Sequence, residues 1–119
     1  MKKYELTDQT IAADGGTTLH RIRALRDFRG VKAGDLGGYI QTEENLAHED
    51  NCWVYDDAQV YGNARVYRNV RLYINAQVFD NAQVCDNARV YGNALVCGDT
   101  WVFGEAKLDR VPQQDVWYT

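Results

Sequence analysis

Proline occurs once in 119 residues, which argues against a disordered or proline-rich linker. Histidine occurs twice, as His20 and His48, so chemistry that needs a cluster of imidazoles has little to draw on. The three cysteines, Cys52, Cys85 and Cys97, form no CxxC and no Cys/His cluster. An odd count without such spacing leads us to expect reduced thiols, no metal and a cytoplasmic setting. No apolar run is long enough to span a bilayer, so no membrane is expected as partner. MKKYELTDQ opens with positive charge but no apolar stretch comes after it, so no secretory leader is expected. Positive charge is not in excess either: the formal net charge is −4, which disfavours nucleic acid as a partner. No GxGxxG or phosphate-binding loop is present. GDLGGY at 34–39 lacks the lysine and hydroxyl of such a loop and reads as a turn.

What the chain has instead is a beat of six. From residue 51 it divides without a gap into NCWVYD, DAQVYG, NARVYR, NVRLYI, NAQVFD, NAQVCD, NARVYG, NALVCG, DTWVFG and EAKLDR, with NLAHED at 45–50 as a degenerate earlier unit. Position four is always Val or Leu, and position two is mostly Ala. In an extended chain these two positions share a face, and positions three and five share the opposite one. Each unit is therefore a short strand with a small and a branched residue inward. Gln, Arg or Trp at position three and Tyr, Phe or Cys at position five point outward. Positions six and one make a corner, where Gly, Asp and Asn tolerate left-handed backbone at least cost.

Helical periodicity does not keep positions two and four on one face, and collagen would need glycine at every third place. A meander of hairpins would not need such uniform inward spacing. The remaining object is a coil of parallel strands, an all-β solenoid with a core narrow enough for alanine to fill. Residues 1–44 lack the beat. KYELT, the DGG turn at 14–16 and TTLHRIRAL alternate as a β-hairpin, which we expect to cap the first coil, with the GDLGGY turn leading into that coil. Arg21, Arg23, Arg26 and Arg29 make this cap locally basic. The division is thus an N-terminal β cap over 1–44, the repeats over 45–110 and a tail over 111–119, in one structural domain.

The aliphatic-x-x-x-small-x pattern of Val60…Ala64, Val66…Val70, Val78…Ala82 and Val90…Ala94 resembles the hexapeptide-repeat family. The resemblance implies a single-stranded left-handed parallel β-helix of triangular section, with three units per coil. Handedness rests on the resemblance alone, since strand crossovers are normally right-handed. The stretch DLGGYIQTEENLAHEDNCWVYDDAQVYGNARV is also similar to bacterial and phage proteins with a short β cap before such coils. Some of those are labelled transferases by fold analogy. Family acyltransferases use a histidine between subunits, often with a loop extruded from the coils. Here ten units run without a loop and a smooth prism offers little concavity, so no catalytic residue is assigned: His48 reads as a solvated or capping histidine, and is with His20 a weak catalytic candidate only. The γ-class carbonic anhydrases of this fold bind zinc with three histidines, which two cannot supply.

With three units per coil, residues eighteen apart stack. One face then carries Trp53, Arg71, Arg89 and Lys107 beside Tyr55, Tyr73, Tyr91 and Asp109. Trp53, Tyr55, Arg71, Tyr73, Arg89 and Tyr91 are the candidate ligand- or partner-binding residues. The second face carries Gln59, Gln77 and Leu95 with Tyr61, Phe79 and Cys97; the third carries Arg65, Gln83 and Trp101 with Tyr67, Cys85 and Phe103. Leu95, Cys97, Trp101 and Phe103 are outward and apolar: either Val116, Trp117 and Tyr118 of the tail fold back over them after Pro112, or, as favoured, they form with Trp117 the candidate oligomer interface. The expected function is a non-catalytic binding and assembly protein, compatible with a phage or prophage origin by resemblance. It would need no cofactor, form a homodimer or homotrimer, and bind a protein partner or a small anionic ligand. The alternatives are an acyltransferase-like enzyme with a site between subunits, and a polymer stacking end to end.

Overall fold

The computed structural model describes residues 2–109 and the backbone of Trp117–Tyr118. Two long antiparallel strands, β1 (Tyr4–Ala12) and β2 (Thr18–Ala24), flank a 3₁₀ turn at Asp14–Gly16 and form the expected hairpin. A third strand, β3 (Leu36–Ile40), comes next. Ten two-residue strands then occur at six-residue intervals, from β4 (Trp53–Val54) through β5 (Gln59–Val60) and β6 (Arg65–Val66) to β13 (Lys107–Leu108). A last strand, β14, is Trp117–Tyr118.

The strands stack in three columns of parallel neighbours. Trp53, Arg71, Arg89 and Lys107 are in register in one column. Gln59, Gln77 and Leu95 are in register in the second, and Arg65, Gln83 and Trp101 in the third. Three units per coil and the sorting of residues onto three faces are therefore as the beat implies. β3 carries the second column downward, pairing parallel with β5 and antiparallel with β2, so cap and coils share one sheet. β14 extends the third column upward, placing Trp117 opposite Trp101 and Tyr118 opposite Val102. The Trp117 side chain lies outside the described residues.

The interior is what the small and branched letters predict. Val54, Leu72, Val90 and Leu108, then Val60, Val78 and Val96, then Val66, Val84 and Val102 fill it with the position-two alanines, and all are buried. Cys52 and Thr100 occupy alanine places and are buried too.

The corners differ from expectation. Within the repeats, left-handed backbone falls on position six alone: Asp50, Asp56, Gly62, Arg68, Ile74, Asp80, Asp86, Gly92, Gly98 and Gly104 have φ between 56° and 68°. Asn at position one does other work. Asn63 Nδ2 donates to Asn81 Oδ1 at 3.2 Å, and Asn81 Nδ2 to Asp99 Oδ1 at 3.4 Å, giving a side-chain ladder up the edge. Asn69–Asn87 and Asn75–Asn93 repeat it at the other corners. Asp at position six adds a second tie between coils. The Asp56, Asp80 and Asp86 carboxylates each accept the backbone N–H of the residue 18 later, Ile74, Gly98 and Gly104, at 3.0 Å.

GDLGGY is corrected in part: Gly34 lies in a turn with φ 95°, but Leu36–Ile40 is a strand. Its glycines are there for close approach. A Cβ on Gly38 would sit 2.4 Å from the Ala58 carbonyl oxygen, and one on Gly37 would sit 2.8 Å from the Trp53 ring.

Ile74 is the branched residue among the left-handed corners and is exposed, so its conformational cost gains little packing in return. Ile74→Asn is expected to raise stability by roughly 0.5–1 kcal/mol, with Ile74→Val neutral, in urea unfolding. Gly38→Ala is expected to lower it by about 1–3 kcal/mol through overpacking. Equal midpoints for Ile74→Asn and wild type would contradict the strain argument.

Candidate functional site

The lower end of the coil stack is closed by side chains from the cap. A parallel coil leaves carbonyls pointing at a neighbour that the first coil lacks. Lys3 Nζ donates to Cys52 O at 2.6 Å and to Asp50 O at 3.4 Å. Tyr4 Oη donates to Leu46 O at 2.6 Å, Arg26 to His48 O at 3.2 Å, and Arg21 to Gly37 O at 2.7 Å. Lys3 is wholly buried, and that burial holds its amine below the ordinary lysine value. Burial likewise pushes the Cys52 thiol up.

His48 belongs to this plug. Its Nδ1 accepts the Lys3 backbone N–H at 3.1 Å, so the proton sits on Nε2, which donates to Glu43 Oε1 at 2.7 Å. Its ring stacks on Tyr4, with centroids 4.2 Å apart and planes 12° from parallel. Both nitrogens are thus engaged in holding the cap. His20 lies elsewhere, its Nδ1 donating to Thr7 O at 3.1 Å. The two histidines are not brought together. Among the described residues no group of three or more His, Cys, Asp or Glu is placed to hold a metal.

The first face keeps most of the binding set expected from the sequence and loses one member. Trp53 is buried to 1 % exposure. Phe28 covers it from the cap at 5.2 Å between ring centroids, and Tyr4 meets it edge-on at 6.3 Å. Its six-residue register gives it an outward position, but a cap built from distant sequence lies over that position. Above it Arg71, Arg89 and Lys107 remain in register, and Tyr55 and Tyr73 stack at 4.9 Å with planes 16° apart. Tyr91 continues the tyrosine column, half-buried like the other two.

Phe28 brings a cation with it. Arg29, a residue the beat could not select, lines a cavity of about 240 Å³ together with Arg71, Arg89, Asn69, Asn87 and Glu105. Arg29 and Arg71 also act on the Tyr55 phenol. Burial and Tyr73 push its pKa above the ordinary value, and the two guanidinium groups oppose that rise. Three arginines and one glutamate therefore line the same cavity. Among the described residues Arg29, Arg71, Arg89 and Lys107 make no ion pair. Other arginines are committed: Arg21 to Asp57, Arg23 to Glu5 and Arg68 to Asp86. A wider concavity of about 530 Å³, between the hairpin turn and another corner, carries Asp80 and Asp99 and no cationic residue. Two further cavities each carry one arginine, Arg65, with Glu44, whereas the first-face cavity carries three.

Leu95, Cys97, Trp101 and Phe103 lie at the upper end of the second and third faces, each half-buried. The Trp101 and Phe103 rings are 5.6 Å apart, and Trp101 Nε1 donates to Cys85 Sγ at 3.4 Å. Among the described residues, the large hydrophobic side chains with greatest exposure are instead Leu25, Leu36 and Ile74. Leu36 and Ile74 are not among the outward letters of the beat, because one is in the cap and the other in a corner.

The repeat described as YdcK Beta solenoid repeat matches residues 58–73, 82–98 and 88–104. A protein of Escherichia coli (strain K12) named "Uncharacterized acetyltransferase YdcK" is 42% identical over 62 residues, covering 46% of this chain and 19% of that protein. The chain thus spans about a fifth of the length of the curated relative it matches.

The Glu43 carboxylate is held below its ordinary range by the hydrogen bond from His48, then by that from Lys2. A lowered folded-state pKa stabilises above the unfolded value and is lost as pH falls through the folded one. Glu43→Gln is therefore expected to flatten the acid limb of stability, below about pH 5 where free glutamate begins to protonate. Urea midpoints measured at successive pH values test this. Parallel curves for variant and wild type would show that the Glu43–His48 contact contributes nothing to the cap.

Proposed function

Taking this chain as a β-solenoid of the hexapeptide-repeat type, we propose that it is a binding and assembly module whose first face receives an anionic ligand. The observation that carries this reading is the convergence of Arg29, Arg71 and Arg89 on one cavity without a matching set of carboxylates. Stacked like charges repel. A bound anion relieves that repulsion and gains charge-assisted hydrogen bonds from planar guanidinium forks. The asparagine amides of the corner ladder add neutral donors at the same place. Leu95, Cys97, Trp101 and Phe103 are the surface through which copies associate, as a dimer or trimer. Filaments built end to end are disfavoured, because Lys3, Tyr4, Arg21 and Arg26 already occupy carbonyls that an incoming coil would need.

The second reading is acyl transfer. It is favoured by the name of the relative, an acetyltransferase, and rests on likeness over a limited segment. A general base must reach its proton with a free nitrogen lone pair. His48 uses its lone pair on the Lys3 N–H, which supports binding over catalysis.

Titration calorimetry with inorganic phosphate and citrate tests the binding reading. Arg71→Ala and Arg89→Ala are each expected to weaken binding about tenfold, the scale of one charge-assisted hydrogen bond. Arg65→Ala, on another face, should leave it unchanged. Absence of heat with every anion, together with acetyl transfer from acetyl-coenzyme A that His20→Ala or His48→Gln abolishes, would replace this reading by the enzymatic one.

A further inference from the structure

We infer that the first face takes a linear oligophosphate laid along the solenoid axis, rather than a single isolated anion. This rests on the binding reading above and specifies its ligand class.

In the register of the first column, Trp53 stands where the lowest outward cation would be, beneath Arg71. The cap buries it under Phe28, and the residue after Phe28, Arg29, faces the same cavity as Arg71 and Arg89. Arg29 therefore adds a cation from the cap to a face whose lowest repeat position is an indole. Arg71, Arg89 and Lys107 are in register parallel to the axis, and Arg29 lines the same cavity as the first two. Neighbouring strands are about 4.8 Å apart, so the line extends well beyond the reach of one tetrahedral anion.

The lining suits phosphate: guanidinium groups pair with its oxygens through two parallel N–H donors, and cations repeated along the axis suit a chain of such groups more than one compact anion. The Asn69–Asn87 ladder runs along the same line and offers amide donors between the charges. Glu105, two residues before Lys107 in the same unit, lines the cavity eighteen residues above Asn87 and limits the line at that level. Tyr55 and Tyr73 close on each other as a stacked pair, so their facing surfaces are not available to a base. The recognised part is therefore the phosphate chain itself, whether free or carried by a nucleoside.

Calorimetry with orthophosphate, pyrophosphate, tripolyphosphate and a nucleoside triphosphate at fixed ionic strength separates the possibilities. Affinity is expected to rise at each step from ortho- to tripolyphosphate, by about tenfold per added phosphate that meets a further cation. The nucleoside triphosphate should match tripolyphosphate; tighter binding by the nucleotide would overturn the assignment to the phosphate chain alone. Arg29→Ala should cost tripolyphosphate more than orthophosphate, since it shortens the line. Orthophosphate and tripolyphosphate binding equally would overturn this inference while leaving the anion site standing. No binding of any of them would remove both, and circular dichroism of each variant verifies that the coils remain folded.

Discussion

Everything in this molecule depends on one backbone state recurring at one position. A residue with positive φ every six residues turns the chain through a corner after each two-residue strand. Glycine enters that state freely, and aspartate enters it with help from its own short side chain. Aspartate brings a second benefit, because its carboxylate receives the N–H of the corresponding corner in the next coil. Corner geometry and coil stacking are thus secured by the same residue. With the corners fixed, the inward space is narrow, and only alanine at position two with valine or leucine at position four fills it without a void.

A stack of coils ends in unpaired backbone, and the chain resolves this at its lower end with long donors instead of another coil. Lys3 and Tyr4 reach inward while Arg21 and Arg26 reach along the rim. Burying an amine costs free energy unless it is hydrogen-bonded, and Lys3 meets two carbonyls and the Cys52 sulfur. The cap therefore belongs to the core as much as it covers it. It also shapes the outer surface: by lying over Trp53 it removes an indole from the first face and sets Arg29 in its neighbourhood.

The same division decides which features are legible in the letters. Inward and outward positions, coil length and face membership come from local periodicity, so Val54, Ala58, Arg71 and Tyr73 lie where the beat puts them. The match to the YdcK solenoid repeat covers part of the same beat. The fate of Trp53 depends on Phe28, 25 residues earlier in a segment without any period, and no spacing rule reaches that far. Gly37 and Gly38 read as a turn because glycine signals flexibility in sequence, whereas here it permits the close approach of Trp53 and Ala58. His48 stands out in the sequence as a rare titratable residue. A capping role could be read for it there, but only the three-dimensional placement of Lys3 and Tyr4 shows which groups its ring holds. The left-handed state belongs to position six and the ladder to position one, a division of labour that composition at the corner does not separate.

The central claim is that a rigid repeat holds a line of cations at fixed spacing and that this line is the working surface. A crystal structure of the protein soaked with tungstate, a heavy tetrahedral anion, tests it most directly. The account predicts anion density on the first face, between Arg29, Arg71 and Arg89, with the coil spacing unchanged. Density confined to other faces, or a first face left empty while anion occupies the cap arginines, would contradict it.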